Sequence, residues 1–158
     1  MAKPKGTGST IAIAGHPLHP MLVNFPITFL VTLVATDLAY LWTKQAFWAQ
    51  VSYWLIIAAF VTGVVAALAG TLDFLLTPKI RKFVGSWMHF ISGIMAVAVV
   101  GANLVWRWGD PVASLWPWGL AFSLLNFVVV GLAGWLGGSL VFEHGIGVSP
   151  GDEKRDLD

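Results

Sequence analysis

The longest apolar stretch of the chain reads VSYWLIIAAFVTGVVAALAGTLDFLL over residues 51–76, and it carries a single charge, Asp73. At 1.5 Å per residue, a helix of this length is long enough to cross the roughly 30 Å of hydrocarbon in a bilayer. Three further apolar stretches of sufficient length cover residues 21–42, 87–106 and 118–142. Each of the four predicts a transmembrane helix.

The composition agrees with a membrane protein. Of 158 residues, 57% are hydrophobic and 11% are charged, and the mean hydropathy is +0.77, whereas a soluble domain carries about 25% charged residues. The connections between the stretches are short, which makes neighbouring helices antiparallel. We therefore predict an all-α fold, a four-helix transmembrane bundle of up-down-up-down topology with both termini on the same side. Residues 15–148 form the membrane domain, between an N-terminal tail, 1–14, and a polar C-terminal tail, 149–158.

The basic residues indicate which side faces the cytoplasm. The side with the termini and the second connection holds seven of them: Lys3, Lys5, Lys79, Arg81, Lys82, Lys154 and Arg155. The other side holds Lys44 and Arg107. Because cytoplasmic loops are enriched in Lys and Arg, both termini are predicted to be cytoplasmic.

Charge and cysteine content remove several classes of function. A net charge of +1 with scattered basic residues gives no basis for nucleic-acid binding. The absence of cysteine excludes disulfides, thiolate-bound iron–sulfur clusters and covalent c-type heme attachment. Any cofactor must therefore be bound by histidine, carboxylate or backbone groups.

All four histidines are predicted to lie at the cytoplasmic end of the bundle. His16 and His19 precede the first span, His89 lies near the start of the third and His144 follows the fourth. Asp73 and Glu143 are expected at the same level. Each histidine alone could be a solvated or hydrogen-bonding residue, but four in one layer favour a metal or heme site.

Small residues and prolines shape the same region. Two helices carry small residues at three- and four-residue spacing, namely Gly63, Ala66, Ala67 and Gly70, and Gly131, Gly134, Gly137 and Gly138. Helix packing is the common use of such faces, although a flat macrocycle between helices needs them too. Pro17, Pro20 and Pro26 predict an irregular entry with a kink near Pro26. Asn24 is expected either to hydrogen-bond a ligand imidazole or to serve the kink.

Other polar residues of the spans are interpreted as structural. Asp37 and Arg107 belong near the outer end and are expected to form an ion pair, with an interfacial Asp and a topology-setting Arg as the simpler alternatives. Asn103 and Asn126 are predicted to hydrogen-bond between helices. The first and third helices begin near histidine and the second and fourth end near a carboxylate, a weak sign of two related hairpins.

The opening GHPLHPMLVNFPI, residues 15–27, resembles that of a widespread bacterial membrane domain of unknown function. The resemblance continues in the helix of His89 and in residues 134–138 and 144–148, so it spans about residues 15 to 148. It implies a four-helix multi-pass protein of the bacterial inner membrane. Some family members are similar to proteins with a fused Rieske domain, which implies redox chemistry, but this chain has no cysteine-bearing Rieske part.

The leading hypothesis is a b-type heme protein that carries electrons rather than a stand-alone catalyst. Its candidate ligands are His16, His19, His89 and His144, with Asn24, Asp73 and Glu143 as further cofactor-binding residues. His89 and His144 are expected to be the deepest pair, leaving His16 and His19 for a second heme or for propionates. Membrane lipid, a quinone, a redox partner protein and a second copy of the chain are candidate partners.

Two alternatives remain open. A non-heme zinc, iron or copper site would use the histidines with Asp73 and Glu143. A cofactor-free scaffold would use none of them, and the layer of four histidines counts against it.

Overall fold

The computed structural model describes residues 7–148. It contains four helical segments that are long and apolar enough to cross a membrane: Leu18–Thr43, Ala46–Leu76, Val84–Trp106 and Leu115–Phe142. The predicted all-α four-helix transmembrane bundle is therefore confirmed, and each segment begins three to five residues before its predicted start. The predicted C-terminal tail, and Lys3 and Lys5 of the N-terminal tail, lie outside the described residues.

The chain enters the bundle through a small hairpin. Strands β1 (Ala12–Ile13) and β2 (His16–Pro17) pair antiparallel, and helix α1 (Leu18–Leu22) follows directly. The helix is interrupted at Val23 before α2 (Asn24–Thr43) begins. Pro26 explains the interruption, because it lacks an N–H and its ring crowds the carbonyl of Leu22 four residues earlier. The interruption lies three residues before Pro26, near the position at which the sequence predicts a kink.

The remaining helices are α3 (Ala46–Leu76), α4 (Val84–Trp106) and α5 (Leu120–Phe142). A short 3-10 turn, Ile80–Lys82, connects α3 to α4. A π-type turn, Leu115–Gly119, leads into α5 and contains one extended residue, Trp116. The extended conformation follows from the next residue, since proline disfavours helical geometry in the residue before it.

Contacts between helices agree with antiparallel neighbours. Thr36 of α2 bonds Ser52 of α3 near their shared connection, with 2.8 Å between the hydroxyl oxygens. At the other end, Thr7 forms a bridge with Ile146, so the two ends of the described chain meet on one side. This pattern is expected for the predicted up-down-up-down arrangement.

The distribution of polarity is that of a membrane protein. Large apolar side chains such as Leu38, Val61 and Val128 lie exposed on the outside of the bundle. An apolar core of Leu30, Leu33, Ile56, Ala59 and Val100 fills the middle. Several polar groups lie inside, where another helix rather than lipid supplies a hydrogen-bond partner, as for Thr36 and Ser52.

Candidate functional site

His19 projects from α1 against the small-residue face of α3. Its ring Nδ1 lies 2.8 Å from the carbonyl oxygen of Ala66. Because a carbonyl can only accept, Nδ1 carries the proton and donates it. The residue four positions after Ala66 would normally cover this carbonyl with its side chain, and that residue is Gly70. A Cβ built there would lie 2.7 Å from His19 Nδ1, so only glycine leaves room for the ring.

His89 has the same arrangement between α4 and α5. Its Nδ1 donates to the carbonyl oxygen of Ala133 at 2.9 Å. The residue four positions later is Gly137, where an added Cβ would lie 3.0 Å from the Cε1 of His89. Both imidazoles therefore satisfy one ring nitrogen with a helix carbonyl that a missing side chain exposes.

The two imidazoles lie next to each other. The centroids of the His19 and His89 rings are 5.9 Å apart and the ring planes are inclined by 76°. In the neutral ring a protonated Nδ1 leaves Nε2 with a free lone pair. The bundle thus contains two adjacent imidazoles that are each fixed in the tautomer that binds metals through Nε2.

A cavity of about 580 Å³ surrounds this pair. Its walls are mostly glycine, alanine and aliphatic side chains from all four spans, and Phe74 and Phe90, which also line it, are stacked at 4.6 Å between centroids. This volume lies within the range of ligand pockets in proteins, roughly 300–1,000 Å³. The cavity combines apolar walls with few polar groups, which is typical of a cofactor or ligand site.

The structure brings together only part of the predicted histidine layer. His16 and His144 are exposed and do not line the cavity. His16 bonds the carbonyl of Ala14 within its own turn, and the ring of His144 stacks on Phe83. The imidazole beside His89 is therefore that of His19, not that of His144, because α5 ends at Phe142 and His144 lies in the following turn.

The two predicted carboxylates are not placed beside the imidazole pair as ligands. Asp73 lines the cavity, but its two oxygens accept hydrogen bonds from Ser9 Oγ at 2.6 Å and Ile11 N at 2.8 Å. It thereby ties the entry segment to the end of α3. Glu143 is exposed and does not line the cavity. Within residues 7–148, no three His, Cys, Asp or Glu side chains are grouped so that they could hold a metal ion.

Asn24 lies at the rim of the cavity. It begins α2 and is exposed, and its carbonyl accepts the hydroxyl of Thr28 at 2.8 Å. This position, directly after the interruption at Val23, agrees with a role in the kink and leaves its side chain beside the cavity.

The opposite end of the bundle is built around Arg107 and Asp37. Two guanidinium N–H groups bond the two carboxylate oxygens of Asp37 at 2.8 and 2.6 Å. Arg107 also donates to Asn103 Oδ1 and Ser123 Oγ, each at 3.0 Å. Both charged side chains are fully buried, so the predicted ion pair is confirmed.

The prediction that both asparagines hydrogen-bond between helices is confirmed for one and wrong for the other. Asn103 does bond between helices, donating from Nδ2 to Ser123 Oγ at 3.1 Å. For Asn126 the prediction is wrong, because neither polar atom of its buried amide has a hydrogen-bond partner in the part of the chain that the structure describes. Ser123, one turn before Asn126 in α5, accepts a hydrogen bond from Arg107 instead.

The carbonyls of Ala66 and Ala133 are site groups that the sequence did not reveal. A backbone oxygen carries no residue-type signal. The available hint was a glycine four residues after each alanine, within small-residue faces that sequence analysis assigned to packing or to a macrocycle.

Comparison with known proteins identifies the family. The chain belongs to the family of predicted membrane proteins described as DUF2231, whose model matches residues 15–150. No curated protein and no solved structure matches the chain. Family membership agrees with a four-helix membrane protein and assigns no activity.

Proposed function

We propose that this protein is a membrane-embedded b-type heme protein that carries electrons, with His19 and His89 as the axial ligands. The observation that carries the proposal is the adjacent pair of imidazoles, each anchored through Nδ1 to a helix carbonyl. Histidine is an established axial ligand of heme iron. A four-helix bundle is a common scaffold for such a site.

The number of donors favours heme over a non-heme metal. Heme brings four equatorial nitrogens and needs only two axial ligands from the protein. Non-heme zinc sites take three or four protein ligands, whereas the cavity offers two imidazoles and the oxygens of Asp73 are bonded elsewhere. The donor set therefore fits a macrocycle better than a bare ion.

The spacing of the rings supports a shared metal. Two imidazoles that bind one ion from opposite sides at about 2.0–2.1 Å have centroids roughly 6 Å apart. The observed separation of His19 and His89 is 5.9 Å. The glycine-rich walls of the cavity leave flat surfaces on which a planar group can lie.

When bound, heme would supply reversible one-electron chemistry. His19 and His89 would hold the heme iron, and ligation by both imidazoles would leave no open coordination position for oxygen. The Nδ1–H bonds to Ala66 and Ala133 hold the ring planes and increase the basicity of each ligand. The mostly apolar walls would surround the bound heme with nonpolar groups.

We further propose that the end carrying His19 and His89 faces the cytoplasm of a bacterial inner membrane. At this end Lys79, Arg81 and Lys82 are exposed. At the other end Arg107 is buried and neutralised by Asp37, which leaves Lys44 as the exposed basic residue among those described. Among the described residues, three basic side chains against two in the sequence become three against one at the surface, which is the direction expected for a cytoplasmic histidine end.

The apolar outer surface suits contact with membrane lipid. A lipid-soluble quinone and a redox partner protein are the proposed exchange partners of such a carrier, and a second copy of the chain is a further candidate. These partners follow from the role rather than from a particular surface.

Absorption spectroscopy of the purified protein tests the proposal. Wild-type protein should show a Soret band and, on reduction, the sharp bands of six-coordinate low-spin heme. His19→Ala and His89→Ala should lose this spectrum, whereas His16→Ala and His144→Ala, the matched controls on exposed histidines, should retain it.

Two results would overturn the heme assignment. One is a wild-type protein that stays colourless after reconstitution with hemin. The other is a heme spectrum that survives in both His19→Ala and His89→Ala. The non-heme alternative would be favoured by a colourless protein that binds stoichiometric zinc, iron or copper and loses this metal in both His19→Ala and His89→Ala.

A further inference from the structure

The two helical hairpins carry their polar and small residues at matching spacings along the sequence. His89 follows His19 by 70 residues, and Arg107 follows Asp37 by the same 70. On the return helices, Ala133 and Gly137 repeat Ala66 and Gly70 with the same four-residue spacing. The α1–α3 hairpin and the α4–α5 hairpin therefore carry corresponding residues at corresponding heights.

The contacts show how the two hairpins are related. In an arrangement with two-fold symmetry, residues on the axis touch their own equivalents in the other half. His19 contacts His89, and Asp37 bonds Arg107. Two pairs of equivalent positions thus meet, one near each end of the bundle, and the line between them runs along the bundle.

The hydrogen bonds repeat the same relation. The bond from His19 Nδ1 to Ala66 measures 2.8 Å and the bond from His89 Nδ1 to Ala133 measures 2.9 Å. In both halves the ring occupies the space that a side chain at Gly70 or Gly137 would fill. Each hairpin therefore contributes one imidazole, one carbonyl and one glycine.

We infer that the ligand site lies on a pseudo-two-fold axis between two equivalent half-sites, and that Gly70 and Gly137 are their positioning residues. Each glycine uncovers the carbonyl that fixes one imidazole in its Nδ1–H tautomer. The identity of the ligand rests on the proposed function, whereas the half-sites do not depend on it. The two glycines act through the carbonyls that they expose and are not ligands, so their role is separate from the ligation of heme iron.

Nitrogen NMR of histidine-labelled protein tests this without any cofactor. In a His16→Ala, His144→Ala background the only two histidines are His19 and His89. At alkaline pH, where imidazole is neutral, ¹⁵N shifts distinguish a protonated Nδ1 from a protonated Nε2. Both rings should be in the Nδ1–H form. Gly70→Ala should shift the signals of one ring and Gly137→Ala those of the other.

Glycines with open surroundings provide matched controls. A Cβ built at Gly131 meets nothing within 4 Å, and one built at Gly85 makes only an ordinary contact of 3.6 Å with Leu140. Neither glycine lines the cavity, and Gly→Ala inside a helix otherwise favours the helix. Gly85→Ala and Gly131→Ala should therefore leave both imidazole spectra unchanged. If Gly70→Ala fails to insert, Gly137→Ala carries the same test, because its closest contact is looser, 3.0 Å against 2.7 Å.

The outcomes separate the inference from the heme proposal. With heme bound, Gly70→Ala and Gly137→Ala should each weaken affinity by roughly 10- to 100-fold, the scale of losing a hydrogen bond behind a ligand, and by similar factors. Ring signals that respond as expected in a protein that binds no heme would support the half-sites and refute only the function. Inserted Gly70→Ala and Gly137→Ala variants that behave like the controls would overturn the inference, even in a heme protein.

Discussion

The two ends of the bundle use buried polar groups in opposite ways. At the arginine end, defined by Arg107 and Asp37, four hydrogen bonds from the guanidinium reach three buried partners and no exposed surface remains. At the histidine end, defined by His19 and His89, each ring uses one nitrogen and the pair borders a cavity of about 580 Å³.

The difference separates structure from function. A polar cluster whose groups are all paired stabilises one arrangement of helices and offers nothing to a ligand. A pair of oriented imidazoles with spare lone pairs beside open volume offers both donors and space. The arginine end therefore fixes the register of the hairpins, and the histidine end holds the candidate site.

The largest expected effect comes from breaking the arginine end. Arg107→Met should lower the free energy of unfolding by about 3–5 kcal/mol, because it leaves the buried carboxylate of Asp37 without its partner. Thermal unfolding of cofactor-free protein in detergent measures this loss. The double variant Asp37→Leu, Arg107→Met should recover most of it, since well-packed apolar residues can replace a buried ion pair. A double variant as unstable as the single one would show that the charges themselves hold the end together.

At the histidine end, a substitution should affect ligand binding much more than the free energy of unfolding. His89→Ala should abolish ligand binding but lower the free energy of unfolding of the cofactor-free protein by only about 1–2 kcal/mol, the scale of one hydrogen bond and its contacts. The carbonyl of Ala133 keeps its place in α5 without the imidazole. The same unfolding measurement checks this. A loss as large as that of Arg107→Met would mean that the imidazole pair is a structural lock rather than a site.

The fold and the arginine end can be predicted from the sequence because both depend on residue type and on position along a span. Long apolar stretches predict helices that cross a bilayer, and Asp37 and Arg107 both lie toward the outer ends of their spans. Neither prediction depends on the direction in which a side chain points around its helix.

Which histidines lie next to each other does depend on the direction of each side chain around its helix. Counting residues along the spans suggested that His144 was deep, but α5 ends at Phe142 and the ring lies outside on Phe83. Conversely, the prolines place His19 in the entry segment, whereas in the structure it lies in the first turn of α1 and contacts α3. The direction of each ring depends on the interruption at Val23 and on carbonyls that glycines expose, and residue type encodes neither directly.

A smaller effect than that of Arg107→Met is expected where the entry segment is anchored to the histidine end. Asp73→Ala removes the acceptor of Ser9 Oγ and of the Ile11 N–H, so it should lower the free energy of unfolding by about 1–3 kcal/mol. Faster proteolysis within residues 7–14 and weaker ligand binding should accompany this loss, because the hairpin before His19 is released. Glu143→Ala, at an exposed carboxylate, is the control and should change none of these. Equal behaviour of the two variants would mean that the anchor does not position His19.

The smallest effect should come from Asn126, between the two ends. Its amide is fully buried, and among the described residues neither its nitrogen nor its oxygen has a hydrogen-bond partner. Asn126→Leu keeps a similar shape and removes two unsatisfied groups, so it should raise the free energy of unfolding by about 1 kcal/mol. Ser123→Ala, one turn away, should lower it instead, because the hydroxyl bonds both Arg107 and Asn103. Thermal unfolding of the two variants side by side measures both signs. If Asn126→Leu destabilises the protein as Ser123→Ala does, the amide has a partner beyond the described chain and the polar region of the arginine end extends further toward the cavity.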